Sequence, residues 1–176
     1  MIFSKIKNLF SSKSENDVKR NIRVHNIKTA KSIGILYEAH DKKNIEEIEV
    51  LVDFFFKENR KQVKSLGYVK GKKLENFHLP RLQYDFFLSK DLSWRPNSEN
   101  YIIKNFLENE FDILINVSDP LINELAYLTK MSISNFKIGR YNENIPFFDF
   151  MIDLKGKGTG VFIKEVIKYI QVINIK

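Results

Sequence analysis

From residue 32 to residue 172, short apolar runs alternate with stretches where apolar side chains return every three or four positions. The first pattern marks strands buried on both faces, the second amphipathic helices. Ile33-Gly34-Ile35-Leu36-Tyr37 reads as a strand. A helix opened by Asn44 and ending near Asn59 follows, with Ile45, Ile48, Leu51, Val52 and Phe55 inward. Residues 63–69 form the next strand, closed by the turn Lys70-Gly71-Lys72-Lys73, and Tyr84–Leu88 another. Ser98 is placed to cap a helix bearing Ile102, Ile103, Phe106 and Leu107. After it come a strand at 112–117, a helix at 121–130 led in by Pro120, strands at 136–140 and 148–154, and a last helix at 159–172. Five or six strands and four helices in this alternation predict a three-layer α/β sandwich, a mostly parallel sheet with helices on both faces.

Ahead of this body lies a different pattern. Ile2, Phe3, Ile6, Leu9 and Phe10 form one stripe of a helix, with Ser4, Lys5, Lys7 and Asn8 opposite. Lys5, Lys7 and Asn8 break any secretory apolar core, and no run approaches the roughly 18 apolar residues of a membrane span. Cytoplasmic residence with no integral membrane segment is the expectation.

Charge sharpens the division. The 176 residues hold 29 Lys and Arg against 22 Asp and Glu, a net +7. Residues 1–31 hold eight cations (Lys5, Lys7, Lys13, Lys19, Arg20, Arg23, Lys28, Lys31) and two anions, a net +6. The expected organisation is therefore a basic N-terminal arm, 1–31, on a nearly neutral α/β domain, 32–176. No cysteine is present, which excludes a disulfide scaffold, thiolate-bound zinc and thiol catalysis. The richness in Ile, Asn and Lys suggests an AT-rich bacterial genome, which raises the Lys count without functional cause.

The segments Ser32-Ile33-Gly34-Ile35-Leu36, Asp91-Leu92-Ser93-Trp94, Phe111-Asp112-Ile113-Leu114-Ile115 and Asn135-Phe136-Lys137-Ile138-Gly139 occur in this order, followed by an amphipathic helix. In order and spacing the chain resembles an uncharacterised family of small Bacteroidota proteins, domain of unknown function 6913. The resemblance runs over nearly the whole chain. It implies a Rossmann-like α/β fold, a cytosolic protein and no assigned activity, so it carries no catalytic residue over.

In open parallel sheets ligands bind at the carboxyl ends of the strands. Here those ends bring Glu38, His40 and Asp41, then Ser118 and Asp119, then Arg140 and Tyr141. Glu38, His40, Asp119 and Arg140 are the candidate ligand-binding groups, suited to acid–base chemistry or anion binding. Solvated loops collect the same residue types, which is the plainer account. The first strand turns through Glu38-Ala39-His40-Asp41-Lys42-Lys43, acidic and free of glycine, so neither a dinucleotide fingerprint nor a Walker A loop is present and no cofactor is expected. Lys155-Gly156-Lys157-Gly158-Thr159-Gly160 could hold a phosphate at a helix start, or simply turn. His25, His40 and His78 lack metal-type spacing, so no metal is expected.

The arm is open to three uses. Its cations could bind RNA or the ribosome; its stripe and lysines could hold an anionic membrane surface; or the stripe could pack on the body or on a protein partner. The reading favoured by the charge asymmetry is a non-catalytic binding or adaptor protein whose arm docks an anionic partner such as RNA. The alternatives are an enzyme or sensor for a small phosphorylated or nucleotide-like ligand at the strand ends, and a peripheral membrane protein anchored by residues 2–10.

Overall fold

A computed structural model describes residues 18–92, 100–119 and 121–175. Six strands, β1 (Ser32–Glu38), β2 (Gln62–Val69), β3 (Tyr84–Leu88), β4 (Ile113–Asn116), β5 (Phe136–Arg140) and β6 (Phe150–Ile152), form one sheet in the order β3-β2-β1-β4-β5-β6. Every neighbouring pair is parallel. The chain builds outward from β1 to β3, then returns to the other side of β1 with β4. The strand order therefore switches direction between β1 and β4, where the crossovers diverge and leave a crevice.

Helices cover both faces. On one side lie α1 (Lys42–Asp53), which continues as a π-helical turn at Phe54–Glu58, and α4 (Thr159–Val172). Their Ile45, Ile48, Leu51, Val52, Phe162, Ile163, Val166 and Ile170 pack with Ile33, Ile35, Ile113 and Ile115 of the sheet. On the other side α2 (Tyr101–Glu108) and α3 (Asn123–Met131) bring Ile103, Phe106, Leu125 and Leu128 onto Leu36, Leu66 and Leu114. Successive residues of one strand thus join opposite cores, which is why the strands read as unbroken apolar runs.

Local boundaries depart from the sequence reading in three places. Asp41, not Asn44, caps α1, its carboxylate accepting the Asn44 N–H at 2.8 Å. Asn100 caps α2, accepting from Ile102 and Ile103; Ser98 lies outside the described residues. The strand expected over 148–154 contracts to β6, because Phe148 and Asp149 are used otherwise. The tip of the Phe148 ring lies against Gly139, where a Cβ would meet ring carbons at 2.3–2.7 Å. Asp149 accepts the Lys137 N–H at 2.8 Å.

Candidate functional site at the carboxyl ends of the strands

The crevice between β1 and β4 opens at their carboxyl ends, and its walls follow from local chemistry. Leaving β1, the Ala39 N–H bonds the Tyr68 carbonyl at 2.7 Å, and the Ala39 carbonyl accepts from His78 Nε2 at 2.8 Å. That turns Glu38 and His40 toward the opening, where the two side chains pair with each other. Leaving β4, Asn116 anchors the opposite wall. Its Nδ2 donates to Thr129 Oγ1 at 2.9 Å, while its Oδ1 accepts the Ser118 hydroxyl at 2.7 Å and the Ser118 N–H at 3.1 Å. This buried amide network positions the Ser118–Asp119 corner.

Two cavities meet at that corner. One, of about 240 Å³, is lined by Tyr37, Glu38, His40, Asn44, Asp119 and Thr159 among others. The second, of about 130 Å³, is lined by Asn116, Asp119, Arg140, Tyr141 and Phe148 among others. Ser118 and Asp119 belong to both. The four candidate side chains thus stand around one compound crevice in two pairs, Glu38 hydrogen-bonded to His40 and Asp119 beside Arg140.

Arg140 is the most constrained of the four. Its Nη1 donates to the Lys157 carbonyl at 2.9 Å and stands 3.4 Å from Asp119 Oδ2. The guanidinium lies over the Phe162 ring, 4.7 Å from its centroid. Its Nε and Nη2 are buried and make no hydrogen bond in the structure. Burial lowers its pKa, an effect that the Asp119 carboxylate opposes; a guanidinium nonetheless stays charged throughout the physiological range.

The glycine-rich stretch before α4 has a more ordinary use. Lys155 and Gly156 take left-handed φ values of 47° and 79°, and the Lys157 N–H closes the turn onto Leu154 O at 3.1 Å. Among the described residues no three His, Asp or Glu side chains group closely enough for a metal ion. A polar cluster with no signal in the sequence lies at the ends of β2 and β3: the Tyr68 hydroxyl and the Ser89 hydroxyl both reach Glu124 Oε1, at 2.9 and 3.2 Å. Burial pushes the Tyr68 phenol pKa up.

The arm residues divide. Lys5, Lys7, Lys13 and the stripe Ile2, Phe3, Ile6, Leu9 and Phe10 lie outside the described residues. Residues 18–31 run under the amino ends of the strands and are fastened there. Arg20 Nη1 donates to Asp149 Oδ2 at 2.8 Å and to Ser134 O at 3.0 Å. The Arg23 N–H donates to Asn135 O at 3.1 Å and the Ile27 N–H to Ile170 O at 2.9 Å. The amides of Lys31 and Ser32 donate to Asp112 Oδ2 at 2.6 and 3.1 Å. The side chains of Lys19, Arg23, Lys28 and Lys31 remain exposed.

Residues 2–173 match the family described as "Family of unknown function (DUF6913)". The chain belongs to that family. No curated protein matches the chain. For this DUF6913 member, then, function has to be argued from the site itself. No helix among its described residues is long and apolar enough to cross a membrane.

Proposed function

We propose that the crevice binds a small metabolite bearing one anionic group, phosphoryl or carboxylate, received by Arg140. Glu38, His40 and Asp119 take its hydroxyl or amine part. The observation that carries this reading is the Arg140 guanidinium, held at the carboxyl end of β5 beside the Ser118–Asp119 corner with Nε and Nη2 unpartnered and its one carboxylate neighbour no closer than 3.4 Å. Leaving buried donors unmade costs on the order of 1–3 kcal/mol, more for a charged group. An anion that displaces Asp119 and draws the guanidinium round so that these two shielded nitrogens reach it recovers that cost. The cavity that Arg140 lines is about 130 Å³ and its neighbour about 240 Å³, each below the roughly 300–1,000 Å³ of drug-sized pockets, which favours a compact ligand over a dinucleotide. The acidic first turn, Glu38-Ala39-His40-Asp41, likewise opposes a pyrophosphate on β1. The partly exposed His40 imidazole, held by Glu38, is placed to exchange a proton with the bound molecule.

The test is a thermal-shift screen of small phosphates, carboxylates and amino acids, followed by calorimetry on wild type and Arg140→Gln. A ligand at 100-fold its dissociation constant adds about 2.7 kcal/mol of stability, a shift of several degrees. The expected result is a compound whose affinity falls tenfold or more in Arg140→Gln. A folded Arg140→Gln protein that keeps the affinity, or a screen in which no anionic compound shifts the melting temperature, overturns the reading.

A further inference from the structure

The amino ends of the strands carry a second surface, independent of the crevice. Residues 18–31 contain five cations and no anion. One of the five, Arg20, is committed to Asp149. The other four, Lys19, Arg23, Lys28 and Lys31, are exposed and enter no ion pair among the described residues. The sheet adds two more. The Gln62 N–H bonds the Lys31 carbonyl at 2.9 Å and Ser32 pairs with Gln62, which sets Lys31 beside Lys61 at the feet of adjacent strands. Arg60, just before it, is exposed and held at φ 53°, a conformation that disfavours any side chain.

Like charges on neighbouring strands destabilise a sheet, so the Lys31–Lys61 juxtaposition is not explained by folding. The carboxyl end of α4, whose Ile170 carbonyl bonds Ile27, attracts a cation near Lys28 by about 0.3–1 kcal/mol. That accounts for one position and not for a line of six. Of the acidic groups at this end, Asp112 is occupied by the Lys31 and Ser32 amides, which leaves Glu58 and Glu110 exposed.

Geometry narrows the partner. The Arg23 amide is bonded to Asn135, at the foot of β5, and Lys31 stands beside Lys61, at the foot of β2. The line between them crosses three strand spacings, about 14 Å. A narrow line of cations suits the backbone of one polynucleotide strand better than a two-dimensional layer of head groups. The segment carries no Phe, Tyr or Trp and its one imidazole, His25, is buried, so bases have nothing on it to stack against. It contains no strand and no α-helix to enter a duplex major groove. A single-stranded polynucleotide held by its phosphates alone remains, and in a cell that is chiefly RNA.

We propose that the amino-end rim (Lys19, Arg23, Lys28, Lys31, Arg60 and Lys61) binds single-stranded RNA through its phosphate backbone, without sequence preference. The experiment uses the full chain and a fluorescent mixed-sequence RNA strand, with anisotropy read at 50, 150 and 300 mM salt. It is repeated with the combined variant Lys28→Gln, Lys31→Gln, Arg60→Gly and Lys61→Gln, in which glycine suits the left-handed position. Each lost phosphate contact removes about 0.7 from the slope of log affinity against log salt. The expected result is at least tenfold weaker binding at 50 mM and a slope lower by about two to three. A folded variant with unchanged affinity and slope overturns the proposal. So does a wild type that fails to bind RNA at 50 mM, one that prefers the DNA strand of the same sequence, or one that binds phosphatidylserine vesicles in place of RNA. A second readout needs no variant: RNA should protect Lys28, Lys31 and Lys61 from acetylation, and protection confined to other lysines sinks the assignment.

Discussion

The two ends of one sheet solve opposite electrostatic problems. At the carboxyl ends the charges come in facing pairs, Glu38 with His40 and Asp119 with Arg140, set in a concavity. At the amino ends cations predominate, and two of the anions there, Asp112 and Asp149, are spent on fastening the segment rather than on neutralising it. The direction of an α/β fold contributes to both. Helix amino termini gather at the crevice end and helix carboxyl termini at the rim, so acids are favoured above and bases below. What marks a site is the part that this polarity does not explain: two unpartnered guanidinium nitrogens at one end, two neighbouring lysines at the other. Paired charges in a hollow suit a small molecule, and unpaired charges in a line suit a polymer.

Salt separates the two ends most strongly. Buried pairs are screened far less than exposed charges, so with six phosphate contacts raising salt from 50 to 300 mM should weaken RNA binding by about a thousandfold and crevice binding by only a few-fold. Equal salt dependence in the two assays breaks the comparison. The next largest effect is on folding. Asp149→Ala strips a mostly buried Arg20 of its carboxylate and the Lys137 amide of its acceptor. It should lower stability by about 2–3 kcal/mol, read by urea denaturation, and open Lys19 and Arg23 to trypsin while leaving crevice binding unchanged. Resistance to trypsin equal to wild type would mean that the segment is held by its backbone bonds alone.

Asp119→Asn sharpens the crevice side. Asp119 is 38% exposed, so losing the pair should cost about 1 kcal/mol or less. The freed guanidinium should bind inorganic phosphate more tightly than in wild type, measured by calorimetry. Weaker phosphate binding would show that Asp119 assists rather than competes. The smallest effect concerns Asp85 on β3, where burial raises the pKa and Lys64 opposes the rise. A raised carboxyl pKa means the folded state favours the protonated form, so the penalty is absent below the unfolded pKa and grows as pH rises through the folded one. Asp85→Asn should therefore stabilise the chain slightly at pH 7 and not at all at pH 3, compared by urea denaturation at the two pH values. Stabilisation that persists at pH 3 would point to packing instead.

Much of the fold is legible in the sequence because strands buried on both faces leave no room for alternation. The apolar runs at 33–37, 84–88 and 113–116 allow one reading, and residues 159–172 carry a helical period with both ends marked. Caps are less legible. Asp41 and Asn44 are both competent to open α1, and only the backbone geometry after β1 selects Asp41. Glu38, His40, Asp119 and Arg140 are visible as strand-end residues, but the pairing of Asp119 with Arg140 depends on strand order, which places β5 beside β4. The rim shows the same limit. Arg20 reads as one more arm cation because Asp149 lies 129 residues away. Arg60 and Lys61 fall between a helix and a strand with nothing to single them out, because only the parallel register of β2 on β1 brings Lys61 to Lys31.

Phe148 and Gly139 share a single volume, the ring occupying the space that any side chain at 139 would need. A side chain gained at residue 139 therefore requires the ring at residue 148 to move away or shrink, so the two positions are expected to change as a couple rather than one at a time.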